Sequence, residues 1–251
     1  MELRAARRDR AARRGVVLFL YERAFSDILE RLGDISRKFD SALLLGVPDA
    51  DWIGGLAEVA DRVTAADPGA LFAKAAGGMQ LIEDGLDVEP ASFDLAVAIG
   101  TLDTVNDLPQ ALLRLRLALK PDSLLIGAVS GGATLPRLRQ AMRAADAVTG
   151  VASAHVHPRI EPAALAQLLS AAGFAMPVVD VDRVPVTYPS LGRLVDDLRG
   201  MAATNLLSSR SRSPLSRAAL RAAQEDFRGP GEGSALETFE ILHFAAWTPA
   251  A

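Results

Sequence analysis

The stretch that decides the fold runs from Ser92-Phe-Asp-Leu-Ala-Val-Ala-Ile-Gly100, through Leu108 to Leu119, to Ser123-Leu-Leu-Ile-Gly-Ala-Val-Ser130. The outer pieces are near-continuous apolar runs, the pattern of strands buried on both faces. Between them lies an amphipathic helix, with Asn106 or Asp107 as its cap, Pro109 in its first turn and Lys120-Pro121 ending it. A strand, a crossover helix and a second strand form a parallel unit. The same grammar holds upstream: Ser41 to Gly46 reads as a strand, Val47 to Asp51 as a turn and Trp52 to Ala60 as a short helix. Arg62 to Asp67 reads as a strand closed by Pro68-Gly69, and Gly77 to Ile82 as another. The expected fold is an α/β, Rossmann-like, doubly wound parallel sheet.

Downstream, a helix is expected from about Leu135 to Val148, a loop carrying His155 and His157, a helix from Glu161-Pro162 to Gly173, and a strand from Phe174 to Val186. Residues 190–227 read as a helical insertion covering one sheet edge, interrupted by Ser208 to Ser213 and by Pro214. Arg228 to Ser234 is expected to be a mobile turn, and Glu237 to Trp247 a final strand. Before the first strand, Ala5 to Arg37 is a helical prelude stopping at Gly33, so residues 1–38 are an N-terminal helical extension and 39–251 the main domain. The opening MELRAARRDRAARRG could pass for a transit peptide, but Glu2, Asp9 and the absence of Ser favour an exposed helix of the mature protein.

Of 251 residues, 27 are basic and 31 acidic, a net charge of -4, which gives no general field for nucleic acid or an anionic membrane. Cysteine is absent, which excludes a disulfide framework, a thiolate nucleophile and Cys-based metal sites and fits a reducing cytoplasm. No run approaches the roughly 20 apolar residues of a membrane span. Two arginine clusters stand out, one at Arg4, Arg7, Arg8, Arg10, Arg13 and Arg14, the other at Arg210, Arg212, Arg217 and Arg221; each reads as a solvated helix face or a dock for an acidic partner.

Ligands of open parallel sheets sit beyond the carboxyl ends of the strands. This singles out Gly46 to Asp51, Asp67, Glu83 to Gly85 and Gly100 to Asp103. Asp67 is placed to accept ribose hydroxyls, or merely to cap the turn before Pro68; Asp84 is placed to meet an adenine amino group. The loop Gly46-Val47-Pro48-Asp49-Ala50 keeps one glycine, while Pro48 has no N–H and Asp49 would repel an anion. His155 and His157 offer two imidazoles to a metal or one to proton transfer, but their spacing alone fits hydrogen-bonded loop histidines; no metal is expected. Neither Ser130 nor Ser153 has the context of a nucleophile elbow.

Val105-Asn-Asp-Leu-Pro-Gln-Ala-Leu112 and Leu119-Lys-Pro-Asp122 are shared by many class I methyltransferases. Together with Gly131-Gly-Ala-Thr-Leu135, Ala172-Gly-Phe-Ala175, Val186-Thr-Tyr-Pro189 and Asp197-Leu-Arg-Gly-Met-Ala-Ala-Thr-Asn205, the chain resembles the methyltransferase-like assembly factor 5 family of mitochondrial complex I and its alphaproteobacterial relatives. The resemblance implies a seven-stranded class I fold with its last strand antiparallel, and S-adenosylmethionine (SAM) as cofactor. It carries over Gly46 to the cofactor loop, Asp67 to the ribose, Asp84 to the adenine, and Ile99, Gly100 and Thr101 to the segment after the fourth strand. The family's acid and two further glycines are here Leu44, Pro48 and Ala50, so the SAM loop is degenerate. The resemblance implies either a SAM-dependent methyltransferase-like protein or a pseudoenzyme that assists assembly of a respiratory-complex subunit; the mitochondrial member is implied to hydroxylate an arginine. No catalytic residue is nominated.

Overall fold

The computed structural model describes residues 2–229 and 233–250. Seven strands form one sheet: β1 (Ala42–Leu45), β2 (Val63–Asp67), β3 (Met79–Gln80), β4 (Phe93–Ile99), β5 (Leu119–Ser130), β6 (Ala175–Tyr188) and β7 (Ala235–Trp247). Their spatial order is β3-β2-β1-β4-β5-β7-β6. The first five run parallel, and β7 inserts antiparallel between β5 and β6, as the family resemblance implies. Strand order reverses between β1 and β4, which pair directly with Leu44 beside Val97.

Nine helices occur among the described residues: α1 (Glu2–Arg14), α2 (Phe19–Gly33), α3 (Trp52–Leu56), α4 (Ala70–Ala75), α5 (Leu108–Ala118), α6 (Pro136–Thr149), α7 (Pro162–Ala171), α8 (Leu191–Gly200) and α9 (Arg217–Arg228). The apolar strands explain their own burial. Leu43 and Leu45 face a core closed by α5 and α7, while Ala42 and Leu44 face one closed by α2 and α3. The period-2 alternation of β1 thus serves two cores at once. A third core joins α6, α8 and α9 to the adjoining ends of β6 and β7, around Phe227, Tyr188 and Phe239. The Asp107 carboxylate caps α5 by accepting from the Gln110 N–H at 2.9 Å.

Two expectations change, and a third lies partly outside the described residues. The interruption of the insertion is longer than expected: α8 and α9 are separated by all of residues 201–216, where the serines and Pro214 favour turns over helix. The opening helix is not simply exposed, since Arg4, Arg8 and Ala11 are all buried. Of the turn expected at 228–234, residues 230–232 lie outside the described residues. None of the described helices is long and apolar enough to cross a membrane.

Candidate functional site

The loop after β1 is used internally. Gly46 donates its N–H to the Ala66 carbonyl at 2.9 Å, and Val47 donates to Asp67 Oδ2 at 2.8 Å. Pro48 has no N–H to offer. Asp49 turns back to accept from the Asp51 N–H at 3.0 Å. Trp52 begins α3 and stacks on Phe25 of α2, with ring centroids 4.5 Å apart and planes 11° from parallel. Val47 and Trp52, at either end of the loop, therefore pack in the core that α2 closes.

Asp67 ends β2 and is wholly buried. Its Oδ1 accepts from Arg8 Nε at 2.6 Å and from the Gly69 N–H at 2.7 Å. Its Oδ2 accepts from Arg8 Nη2 at 2.5 Å and from the Val47 N–H. A carboxylate offers about four acceptor positions, and all are taken. Of the two sequence readings of Asp67, the cap is seen, since it ties down the turn through Pro68 by accepting from Gly69, while half of its capacity goes to a guanidinium. Burial opposes the charge on Arg8, and Asp67 overcomes it, so the Arg8 pKa lies above its ordinary value. Phe72 covers the same guanidinium at 5.1 Å. A Cβ at Gly69 would lie 2.7 Å from Arg8 Cβ, so a side chain there would force α1 away.

One turn earlier on α1, Arg4 forms the matching pair with Glu83, at the start of a 3-10 turn over Glu83–Gly85. Arg4 Nη1 donates to Oε2 at 2.5 Å and Nη2 to Oε1 at 2.8 Å. Nη2 also reaches the Thr101 carbonyl, and Nε reaches Thr104 Oγ1 at 3.0 Å. Burial pushes the Glu83 carboxyl up, but the Arg4 charge and hydrogen bonds bring it below its ordinary value. Asp9, on the same helix, accepts the Leu71 N–H at 2.9 Å and so satisfies the first turn of α4. Spacing of four residues puts Arg4 and Arg8 on one helix face, and that face is docked on the strand ends.

Five of the six residues expected at the site meet there. Ile99 ends β4, and a Cβ on Gly46 would come within 2.2 Å of its carbonyl oxygen and 2.6 Å of Thr101 Cγ2. Gly100 follows at φ +61°, where a Cβ would lie 2.3 Å from Tyr21 Cε1. The Tyr21 hydroxyl donates to the Met201 carbonyl at 2.7 Å, and burial raises it to about 12. Asp84 stands one residue from the acid that Arg4 holds, and its Oδ1 is buried without a partner. The sequence named Glu83 only as the start of the segment Glu83 to Gly85, and Arg4 and Arg8 only within an arginine cluster read as a solvated face or a dock for an acidic partner; their pairing with Glu83 and Asp67 was not foreseen. His155 lies elsewhere, with Nε2 at 2.7 Å from Asp146 Oδ1, and His157 is half-buried, its pKa lowered by burial and by the Arg159 charge.

These residues do not fit a SAM ribose as arranged. The hydroxyls would need acceptor positions on Asp67 that Arg8 occupies, in a space that α1 fills.

Residues 18–177 match the methyltransferase domain family. The chain is 32% identical over 243 residues to the mitochondrial arginine-hydroxylase NDUFAF5 of Danio rerio, covering 92% of this chain and 75% of that one. The crystal structure of YcgJ from Bacillus subtilis is similar in fold, with a TM-score of 0.62 at 10% identity over 92% of this chain and all of that one. So is Haemonchus contortus phosphoethanolamine N-methyltransferase 2 in complex with SAM, with a TM-score of 0.53 at 14% identity over 90% of this chain and 52% of that one. By sequence and by fold, the chain belongs to the methyltransferase-domain proteins and, among them, to the family of the arginine-hydroxylase NDUFAF5.

Proposed function

We propose that this protein is a respiratory-complex assembly factor that keeps the class I methyltransferase fold while its own N-terminal helix takes the place of the cofactor. The observation that carries this reading is the saturation of Asp67 by Arg8, Val47 and Gly69. The degenerate loop supports it, since Pro48 and Asp49 offer nothing to an anionic ligand group. A fold alone does not fix a reaction, and no grouping of three or more His, Cys, Asp or Glu suited to a metal occurs among the described residues. In this reading residues 1–38 are the extension that closes the cleft, 39–251 the methyltransferase-like body and 190–227 its insertion. The ligand it serves is a protein subunit rather than a nucleic acid, and the absence of cysteine suits a cytoplasmic setting.

A second reading is favoured by the retained acid at the end of β2: SAM binds after α1 swings away, with Asp67 freed for the ribose. Calorimetric titration of the whole protein with SAM and with S-adenosylhomocysteine separates the two. Absence of binding at millimolar ligand, by protein that melts cooperatively, is expected. Micromolar binding by the unaltered chain would overturn the proposal in favour of the second reading.

A further inference from the structure

One arginine from each cluster, far apart in sequence, comes to a shared cavity. Arg7 of α1, Arg199 at the end of α8 and Arg210 in the 201–216 segment line one cavity of about 480 Å³, next to the hydroxyl-bearing Thr204, Ser211 and Ser213. Their charges are poorly matched by acids. Arg7 has no ion pair among the described residues, and its Nε is buried without a hydrogen-bond partner. Arg210 donates Nη1 only to the Leu207 carbonyl at 2.9 Å. Arg199 shares the single carboxylate of Asp196 with Arg14, at 3.1 and 2.8 Å. The acid on the cavity wall is Asp146, already engaged by His155 Nε2 at 2.7 Å and by the Ser153 N–H at 3.1 Å. Burial, followed by the like charges of Arg10, Arg210 and Arg199, lowers the pKa of Arg7.

We infer that this cavity binds a phosphoryl group. Guanidinium forks match the tetrahedral oxygens of phosphate and give charge-assisted hydrogen bonds. Serine and threonine hydroxyls can donate to the oxygens that the arginines leave. Val195 and Leu215 on the same wall would cover a short apolar body attached to the phosphate. The phosphoryl group can come from a soluble phosphomonoester or from the headgroup of an anionic phospholipid. The inference is independent of whether SAM binds, although Arg7 shares α1 with Arg8, so an anion held here also fastens α1 over the cleft.

The test uses the full chain at constant ionic strength. Inorganic phosphate and glycerol 3-phosphate are titrated calorimetrically, with chloride as control. Co-sedimentation is then measured with phosphatidylcholine vesicles, with and without phosphatidic acid. Saturable binding of at least one phosphoryl probe is expected, weakened about tenfold or more in Arg210→Ala with the melting temperature unchanged. Arg210→Lys, which keeps charge but not the fork, is expected to recover part of it. Binding of the soluble phosphates assigns the site to a small phosphomonoester; binding confined to phosphatidic acid vesicles assigns it to a lipid surface. No saturable binding to either, or binding that Arg210→Ala leaves unchanged, would overturn the inference, whatever SAM does.

Discussion

Arg8 and Asp67, 59 residues apart in the chain, form a two-point ion pair from which water is almost wholly excluded. Because Asp67 ends β2 and Arg8 sits mid-helix on α1, this contact pins the middle of α1 to the sheet. Removing one partner of a buried pair leaves the other charge uncompensated, at a cost of about 3–5 kcal/mol. Arg8→Ala is accordingly expected to lose about 3 kcal/mol in urea denaturation. Asp67→Asn is expected to lose a similar amount, and the double variant clearly less than the sum. Additive losses would show that the pair is not what holds α1 in place.

The Arg4–Glu83 pair makes stability depend on acid in a definite direction. Burial would raise the Glu83 carboxyl, yet Arg4 brings it below its ordinary value. The unfolded chain therefore takes up the proton more readily than the folded one. The stabilisation is complete above the unfolded glutamate range, near about pH 4.3, and is lost as pH falls through the lower folded value. The urea midpoint of the unaltered protein should fall through that window, and that of Glu83→Gln, lower at neutral pH, should fall less. Parallel pH profiles would remove Glu83 as the titrating group.

What could be read from the sequence was whatever rests on local pattern. The uninterrupted apolar runs of β1, β4 and β5, the Asp107 cap of α5 and the stop at Gly33 all announce themselves within a few residues. Asp67 was legible as the acid that ends β2, though not as the partner of Arg8. Arg4 and Arg8 were legible only as members of an arginine cluster, and their docking on Glu83 and Asp67 was not. Ala11 is the only apolar residue among the buried residues of α1, so the docked side of that helix is polar and its partners lie 79 and 59 residues away. A charged helix of that kind has the pattern of a solvated one until its partners are located. Glu83 and Asp84 show a finer limit, since neighbouring acids in a three-residue turn differ only in which one the turn rotates inward.

The same extension is also held at Gly100, through α2. Its φ of +61° already disfavours a side chain, and a Cβ would lie 2.3 Å from the Tyr21 ring. Gly100→Ala should displace α2, break the Tyr21 hydroxyl bond to Met201 and cost about 1–3 kcal/mol, the usual range for overpacking. Tyr21→Phe removes only that bond, leaving the Met201 carbonyl short of a donor, and should cost about 1–2 kcal/mol. Thermal melts of the two variants decide the matter: a Gly100→Ala protein as stable as the unaltered chain would mean that Tyr21 does not rest on this glycine.

The insertion side of the fold hangs on a cap supplied from far away. The residue before α6, Leu135, sits at φ +60° and provides no side-chain cap of its own. Glu237 of β7, wholly buried, supplies it instead: Oε1 accepts from the Arg137 N–H at 3.1 Å and Oε2 from the Leu138 N–H at 2.8 Å. A carboxylate at a helix N-terminus also meets the positive end of the helix dipole, a contribution of up to about 2 kcal/mol in buried geometry. Glu237→Ala should therefore cost about 2–4 kcal/mol, with Glu237→Gln in between because the amide keeps one acceptor oxygen. Since α6 packs on α9, the loss should appear in hydrogen exchange as faster opening of both helices. Unchanged protection of residues 136–149 in Glu237→Ala would show that α6 is capped by other means.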